Sequence, residues 1–245
     1  MNRPFVLIPL YIYPLEKAWE PLFQIAEAHP EVHFAAIINP NSGPGQTPLP
    51  DASYVAALRR MRKIPNIHTL GYVHCSYGHR PVDAIKAEID VYCGWKGCLE
   101  LGGIFFDETP SDAHYVRFMA TLADYTKSTW QQELGRYGMV IYNPGVVVGH
   151  TYFEQPDYIV VFEQSHAHWN RIFAEQGLQY ASAEARSKSV AIVHSSLAKG
   201  SMVEALTRQI RSLGVTGIFV TDEQGGGYTK WPAAWKQFAE AMAAM

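Results

Sequence analysis

Apolar positions along the chain gather into eight short runs, at 5–13, 33–39, 67–74, 103–108, 139–143, 158–163, 190–195 and 217–222. The runs are rich in β-branched and aromatic residues and are apolar throughout rather than alternating. That is the pattern of strands buried on both faces of a parallel sheet. Between them the period changes. Leu15, Trp19, Leu22, Phe23 and Ala26 share one stripe of a helix expected over 15–28. Similar stripes predict helices over 54–62, 82–92, 112–134, 169–176, 202–213 and 235–245. Pro81 and Ser111-Asp112 supply helix starts.

Strand and helix alternate at about 30 residues per unit, which predicts an α/β fold in which residues 1–245 form a single (β/α)8 TIM-type barrel. The fifth crossover is shortened, since 14 residues separate Asn143 from Tyr158, room for one helical turn or a loop. A doubly wound open sheet would carry a glycine-rich phosphate turn after its first strand, where this chain has Tyr11-Ile-Tyr-Pro. The Pro- and Gly-rich stretch 39–50 reads as a loop within one unit.

Composition narrows the class. With 48% hydrophobic, 18% charged and 13% aromatic residues, the chain is set to bury a large core rather than remain disordered. A net charge of −3 argues against a nucleic-acid groove, and no apolar run is long enough to span a membrane. The start of the chain lacks the pattern of a secretion signal, so an intracellular protein or a mature form is expected. Cys75, Cys93 and Cys98 are too few for a disulfide scaffold. Cys93 and Cys98 flank a Gly-Trp-Lys-Gly loop that could close a disulfide or leave two thiols free.

In a barrel, chemistry collects where strands run into loops. Those positions hold Tyr11 and Tyr13, Asn39, His74, Asp107 with Glu108, Asn143, Glu163, His194 with Ser195, and Asp222 with Glu223. None is a lysine, which disfavours Schiff-base chemistry, and no G-x-S-x-G elbow surrounds Ser195. Asp107-Glu108 follows the apolar Ile104-Phe-Phe, and Glu163 follows Ile159-Val-Val-Phe; a carboxylate at the end of a buried strand is costly unless paired or used. Two acids across a barrel mouth are the minimum equipment for glycoside hydrolysis, one protonating the leaving oxygen while the other attacks or activates water. Each acid could instead cap a helix or pair with an arginine. Gln224-Gly-Gly-Gly reads as a mobile loop, with Asp222 lining the sugar groove. His166 and His168 lack metal-site spacing, and no metal or organic cofactor is implied. Tyr72, Tyr77, Tyr142, Tyr152, Phe153, Trp169, Tyr228 and Trp231 join Tyr11 and Tyr13 as rim aromatics suited to stacking on pyranose faces or to packing.

Several strings resemble the spherulin 4-like proteins: Val6-Leu-Ile-Pro-Leu-Tyr-Ile-Tyr-Pro14, Ile38-Asn-Pro-Asn-Ser-Gly-Pro-Gly45, Gly71-Tyr-Val-His74, Gly103-Ile-Phe-Phe-Asp-Glu108 and Val160-Val-Phe-Glu163. They run in order along essentially the whole chain. The resemblance implies a barrel of glycoside hydrolase family 135, endo-acting on α-1,4-linked N-acetylgalactosamine in galactosaminogalactan-type exopolysaccharide of biofilms, with its acids at Asp107, Glu108 and Glu163. It implies an extracellular or cell-envelope location, a galactosamine-containing polysaccharide as partner, and a monomer. In an α-linked N-acetylgalactosaminide the acetamide lies cis to the leaving oxygen and cannot attack from behind, so enzyme carboxylates must do the work. Asp107 is expected as nucleophile or base, Glu163 as general acid, and Glu108 as a stabiliser of positive charge or a support for Asp107. Expected substrate contacts are Tyr11, Tyr13, Asn39, His74, Asn143, Trp169 and Asp222. The alternatives are a non-catalytic polysaccharide-binding barrel and a barrel enzyme on a small phosphosugar, which would want basic residues near the seventh and eighth strands.

Overall fold

The computed structural model describes residues 4–244 apart from 174–176 and 180, and, at Ile172, the backbone only. Eight parallel strands close into a barrel in chain order: β1 (Phe5–Leu10), β2 (His33–Ile38), β3 (Ile67–His74), β4 (Gly103–Asp107), β5 (Met139–Tyr142), β6 (Tyr158–Ser165), β7 (Ser189–His194) and β8 (Gly217–Val220). β1 and β8 complete the circle through Phe5↔Gly217 and Val6↔Ile218. Each apolar run overlaps its strand; six strands end one to three residues early, leaving residues such as Asn39, Asn143 and Asp222 to the loops, and β3 ends with its run. β6 is the exception, running two residues past Glu163.

Proline inside β1 is tolerated for a reason of register. The Phe5 N–H donates to Thr216 O on the β8 side, and alternate residues of a strand face the same neighbour. The Pro9 nitrogen therefore faces β8, whose pairing with β1 spans only Phe5 and Val6. Gly103 is dictated by close approach. A Cβ there would lie 2.0 Å from Met139 O on the neighbouring strand.

Helices cover the barrel: α1 (Glu20–Ala28), α2 (Ala52–Met61), α3 (Val82–Cys93), α4 (Val116–Leu134), α5 (Ala183–Ser187), α6 (Ser201–Ser212) and α7 (Trp235–Ala243). The Asp51 carboxylate caps α2 by accepting from the N–H groups of Ser53 and Tyr54. Gly135, at φ 64°, ends α4 in the left-handed conformation. Asp112 caps the short turn Ala113–Tyr115 that leads into α4.

Three departures from the pattern-based reading have physical causes. Helix α1 begins at Glu20 rather than at residue 15, because Lys17 takes a left-handed φ of 63° and leaves Leu15 exposed. The helix expected over 169–176 is a wide π-type turn at Trp169–Phe173, and 174–176 lie outside the described residues. The short α5 fills a stretch with no apolar stripe and is held by its Ser182 cap. The shortened fifth crossover is one tight turn, His150–Phe153. Cys93 and Cys98 are both free thiols, the first buried and the second exposed. Among the described residues no helix is long and apolar enough to cross a membrane.

Candidate active site

The mouth of the barrel at the strands' carboxyl ends is organised by one side-chain amide. Asn143, just past β5, donates from Nδ2 to Asp107 Oδ1 at 2.7 Å and to Glu163 Oε2 at 2.6 Å. The two carboxylates come from β4 and β6, on either side of β5, so strand order alone brings them together. Two bonds from one nitrogen keep the bonded oxygens within about 5.3 Å of each other, less than the roughly 6.5–9.5 Å that an inverting pair needs to admit water.

Each acid also receives a phenol. Tyr72 donates to Asp107 Oδ2 at 2.8 Å, and Tyr228 donates to Glu163 Oε1 at 2.6 Å. Tyr11 sits between these two, edge-on to Tyr72 at 5.5 Å and to Tyr228 at 5.9 Å. Burial first, and then the charges of Asp107 and Glu163, push the Tyr11, Tyr72 and Tyr228 hydroxyls up, so all three stay protonated, and Tyr72 and Tyr228 serve as donors. The same burial raises the pKa of Glu163, and the Asp107 charge adds to the rise. Its bonds from Tyr228 and Asn143 oppose it without cancelling it. The site thus holds a carboxyl group biased toward its protonated form beside a second carboxylate.

A backbone bulge lies directly ahead of Glu163. The β6–β7 register shifts between Val160 and Phe162. Phe162 then packs on Trp169 and Phe173 with ring centroids at 5.1 and 4.7 Å, while Glu163 reaches Asn143 and Tyr228. At the end of β4, Glu108 turns out of the strand with a φ of 48°. Its carboxylate lies 3.7 Å from His74 Nδ1 and is half exposed, and His74 Nδ1 also meets Ser76 Oγ at 2.9 Å. Among the described residues, the groups bonded to the Asp107 carboxylate are Tyr72 and Asn143 rather than Glu108.

The expected contact residues divide. Tyr11 and Asn143 stand at the centre, and His74 with Glu108 to one side. Tyr13 and Asn39 brace the first two loops instead. The Tyr13 hydroxyl donates to Asp51 Oδ2 at 3.0 Å, and Asn39 Oδ1 accepts from Gly43 N at 3.0 Å. Asp222 accepts from Ala233 N at 2.7 Å and faces an outer groove with Ser196, Lys199 and Phe238. Trp169 is a correction. It is 0% exposed, donates from Nε1 to Gln209 Oε1 at 3.2 Å, and packs against Phe173, so it belongs to the core.

Three residues act in ways the sequence reading did not assign. Tyr72 and Tyr228 figured as stacking surfaces, yet both bond through oxygen. Strand period held a clue for Tyr72, since it shares a face with His74, whose register partner is Asp107. Glu223 is the third. It is nearly buried, and its carboxylate accepts from Thr229 N at 2.9 Å and from Thr229 Oγ1 at 2.8 Å. The Gly225–Tyr228 loop is therefore pinned, where a mobile loop was expected.

Comparison with known proteins agrees with this architecture. The crystal structure of Aspergillus clavatus Sph3 in complex with GalNAc superposes with a TM-score of 0.89 at 32% identity, covering 99% of both chains. Spherulin-4 of Physarum polycephalum is 32% identical over 226 residues, 90% of this chain; the chain spans 64% of that protein's length. A sugar phosphate isomerase/epimerase from Parabacteroides distasonis aligns at a TM-score of 0.51 and 9% identity over 98% of this chain and 94% of that one, a likeness of barrel alone. The model of the family described as Spherulation-specific family 4 matches residues 5–242, and the chain belongs to that family.

Proposed function

We propose that the protein is a glycoside hydrolase that cuts within chains of α-1,4-linked N-acetylgalactosamine and galactosamine, with Asp107 and Glu163 as the working pair. One observation carries the reading: two carboxylates from separate strands share one amide nitrogen, and burial biases one of them, Glu163, toward its acid form. The N-acetylgalactosamine in the Aspergillus clavatus relative supports the class of sugar.

In this mechanism Asp107, oriented by Tyr72 and Asn143, attacks the anomeric carbon. Glu163 gives its proton to the departing O4, and a glycosyl ester with Asp107 remains. Water then enters, Glu163 takes its proton, and the new hydroxyl displaces Asp107. Two displacements at one carbon return the starting configuration, and the close oxygen spacing supports retention over inversion. Glu108, half exposed beside His74, offers negative charge to the oxocarbenium-like transition state or to the amine of a de-acetylated unit. A phosphosugar fits less well, since the Asp107 and Glu108 carboxylates would both repel a phosphate.

Mass spectrometry of the products tests this. Wild type should release oligosaccharides from partly de-acetylated α-1,4-galactosaminan, and Glu163→Gln should release them about 10²–10⁴-fold more slowly. Intact polymer that wild-type protein binds but does not cut would indicate the carbohydrate-binding barrel instead.

A further inference from the structure

Among the described residues, three tyrosines count among the exposed large apolar side chains, and two of them have structural work. Tyr13 bonds Asp51 and meets Tyr54 edge-on. Tyr137, at the opposite end of the barrel, bonds Asp157 and lies under the Lys127 ammonium. Tyr77 is 60% exposed, and among the described residues its ring has no aromatic or cationic partner and its hydroxyl no hydrogen bond.

Its backbone is nevertheless held in an unfavourable shape. Ser76 and Tyr77 have φ of 44° and 54°, left-handed values that are unusual for a bulky aromatic residue and typically cost about 1–2 kcal/mol. The conformation is over-determined by its surroundings. Tyr77 N donates to Glu108 O at 2.7 Å, and Cys75 N donates to Asp107 O at 2.8 Å, so the loop is tied to the backbone of the two adjacent acids. Gly78 leaves no slack, since a Cβ there would come within 2.4 Å of the Tyr115 ring. Partial burial, and then the charges of Glu108, Asp107 and Glu163, raise the Tyr77 hydroxyl's pKa, which sets the side chain within electrostatic reach of the mouth. Strain of this kind persists where function uses it. An aromatic ring carried on a fixed backbone beside a sugar site, with no partner of its own, matches the C–H face of a pyranose.

We propose that Tyr77 is the stacking platform of a flanking subsite, receiving the hexosamine ring next to the one held at Asp107 and Glu163, and so selecting a chain over a single sugar. This rests on the glycan reading above but not on hydrolysis itself.

The test separates the two. In a Glu163→Gln background, which holds turnover down, calorimetry compares partly de-acetylated α-1,4-galactosaminan with free N-acetylgalactosamine. Tyr77→Ala should weaken polymer binding about tenfold and leave the monosaccharide unchanged, while Tyr77→Trp should retain polymer binding. Tyr137→Ala serves as the control for loss of an exposed ring, and thermal melts confirm folding. Equal loss for polymer and monosaccharide, or no loss for either, overturns the subsite. If the subsite result holds while the parent protein never cuts the polymer, the hydrolase reading fails and the subsite stands. A parent protein that binds no polymer overturns both.

Discussion

Asn143 is the residue on which the site turns. Two carboxylates this close repel, and a single amide donating both hydrogens offsets that repulsion while fixing their separation. The amide leaves the difference between them to their surroundings, and burial tips Glu163 toward the neutral form. A general acid must be protonated, so activity should fall as pH rises through the raised pKa of Glu163. Tyr228 bonds the charged form of Glu163 and holds its pKa down; removing that bond lets the pKa climb further. Tyr228→Phe should therefore move the basic limb of the kcat profile to higher pH, with the plateau reduced by no more than about tenfold. A limb that stays in place, or moves down, would remove Glu163 from the acid role. Of these parts, Asp107, Glu163 and Asn143 were legible as polar residues ending apolar strands. The tyrosine hydroxyls were not, because a phenol at the end of a strand reads equally as packing, stacking or bonding. Trp169 misled for the related reason that an indole beside a candidate acid looks the same in sequence whether it faces the mouth or the core.

Among the elements, the loop after β8 matters most. Its three glycines suggest mobility, yet Glu223 anchors it through Thr229 and so carries Tyr228 to Glu163. Tyr228 itself has a φ of 50°, a conformation that the anchored loop maintains. Glu223→Ala strands the Thr229 donors and should cost about 1–3 kcal/mol of stability. It should also shift the basic limb in the same direction as Tyr228→Phe and expose the loop to limited proteolysis. Unchanged protease resistance and an unshifted pH profile would show that the loop holds itself. Strand positions came through clearly in the sequence because a fully buried strand must be apolar along its length, and all eight strand ends fell within three residues of the expected points. Helix starts were harder. The stripe of α1 extends back to Leu15, but the left-handed Lys17 breaks the helix, and Pro21 in the first turn is the signal of where it restarts. The bulge in β6, which aims Glu163, has no sequence signature.

At the scale of the whole molecule, barrel closure gives the site its geometry. β4, β5 and β6 are consecutive in sequence and adjacent in space, so residues ending them must converge. The net charge argued against a nucleic-acid groove and no apolar run was long enough for a membrane-spanning helix, but the identity of the sugar came from family resemblance, since stacking rings and carboxylates suit many pyranoses. A double displacement by Asp107 and Glu163 can be followed by proton NMR of the anomeric signals during the first minutes of digestion of α-1,4-galactosaminan. New reducing ends that appear first as the α anomer, and only later equilibrate, are the predicted result. Reducing ends that appear first as the β anomer would mean one displacement by water rather than two at the anomeric carbon, and Asp107 would lose its role as nucleophile.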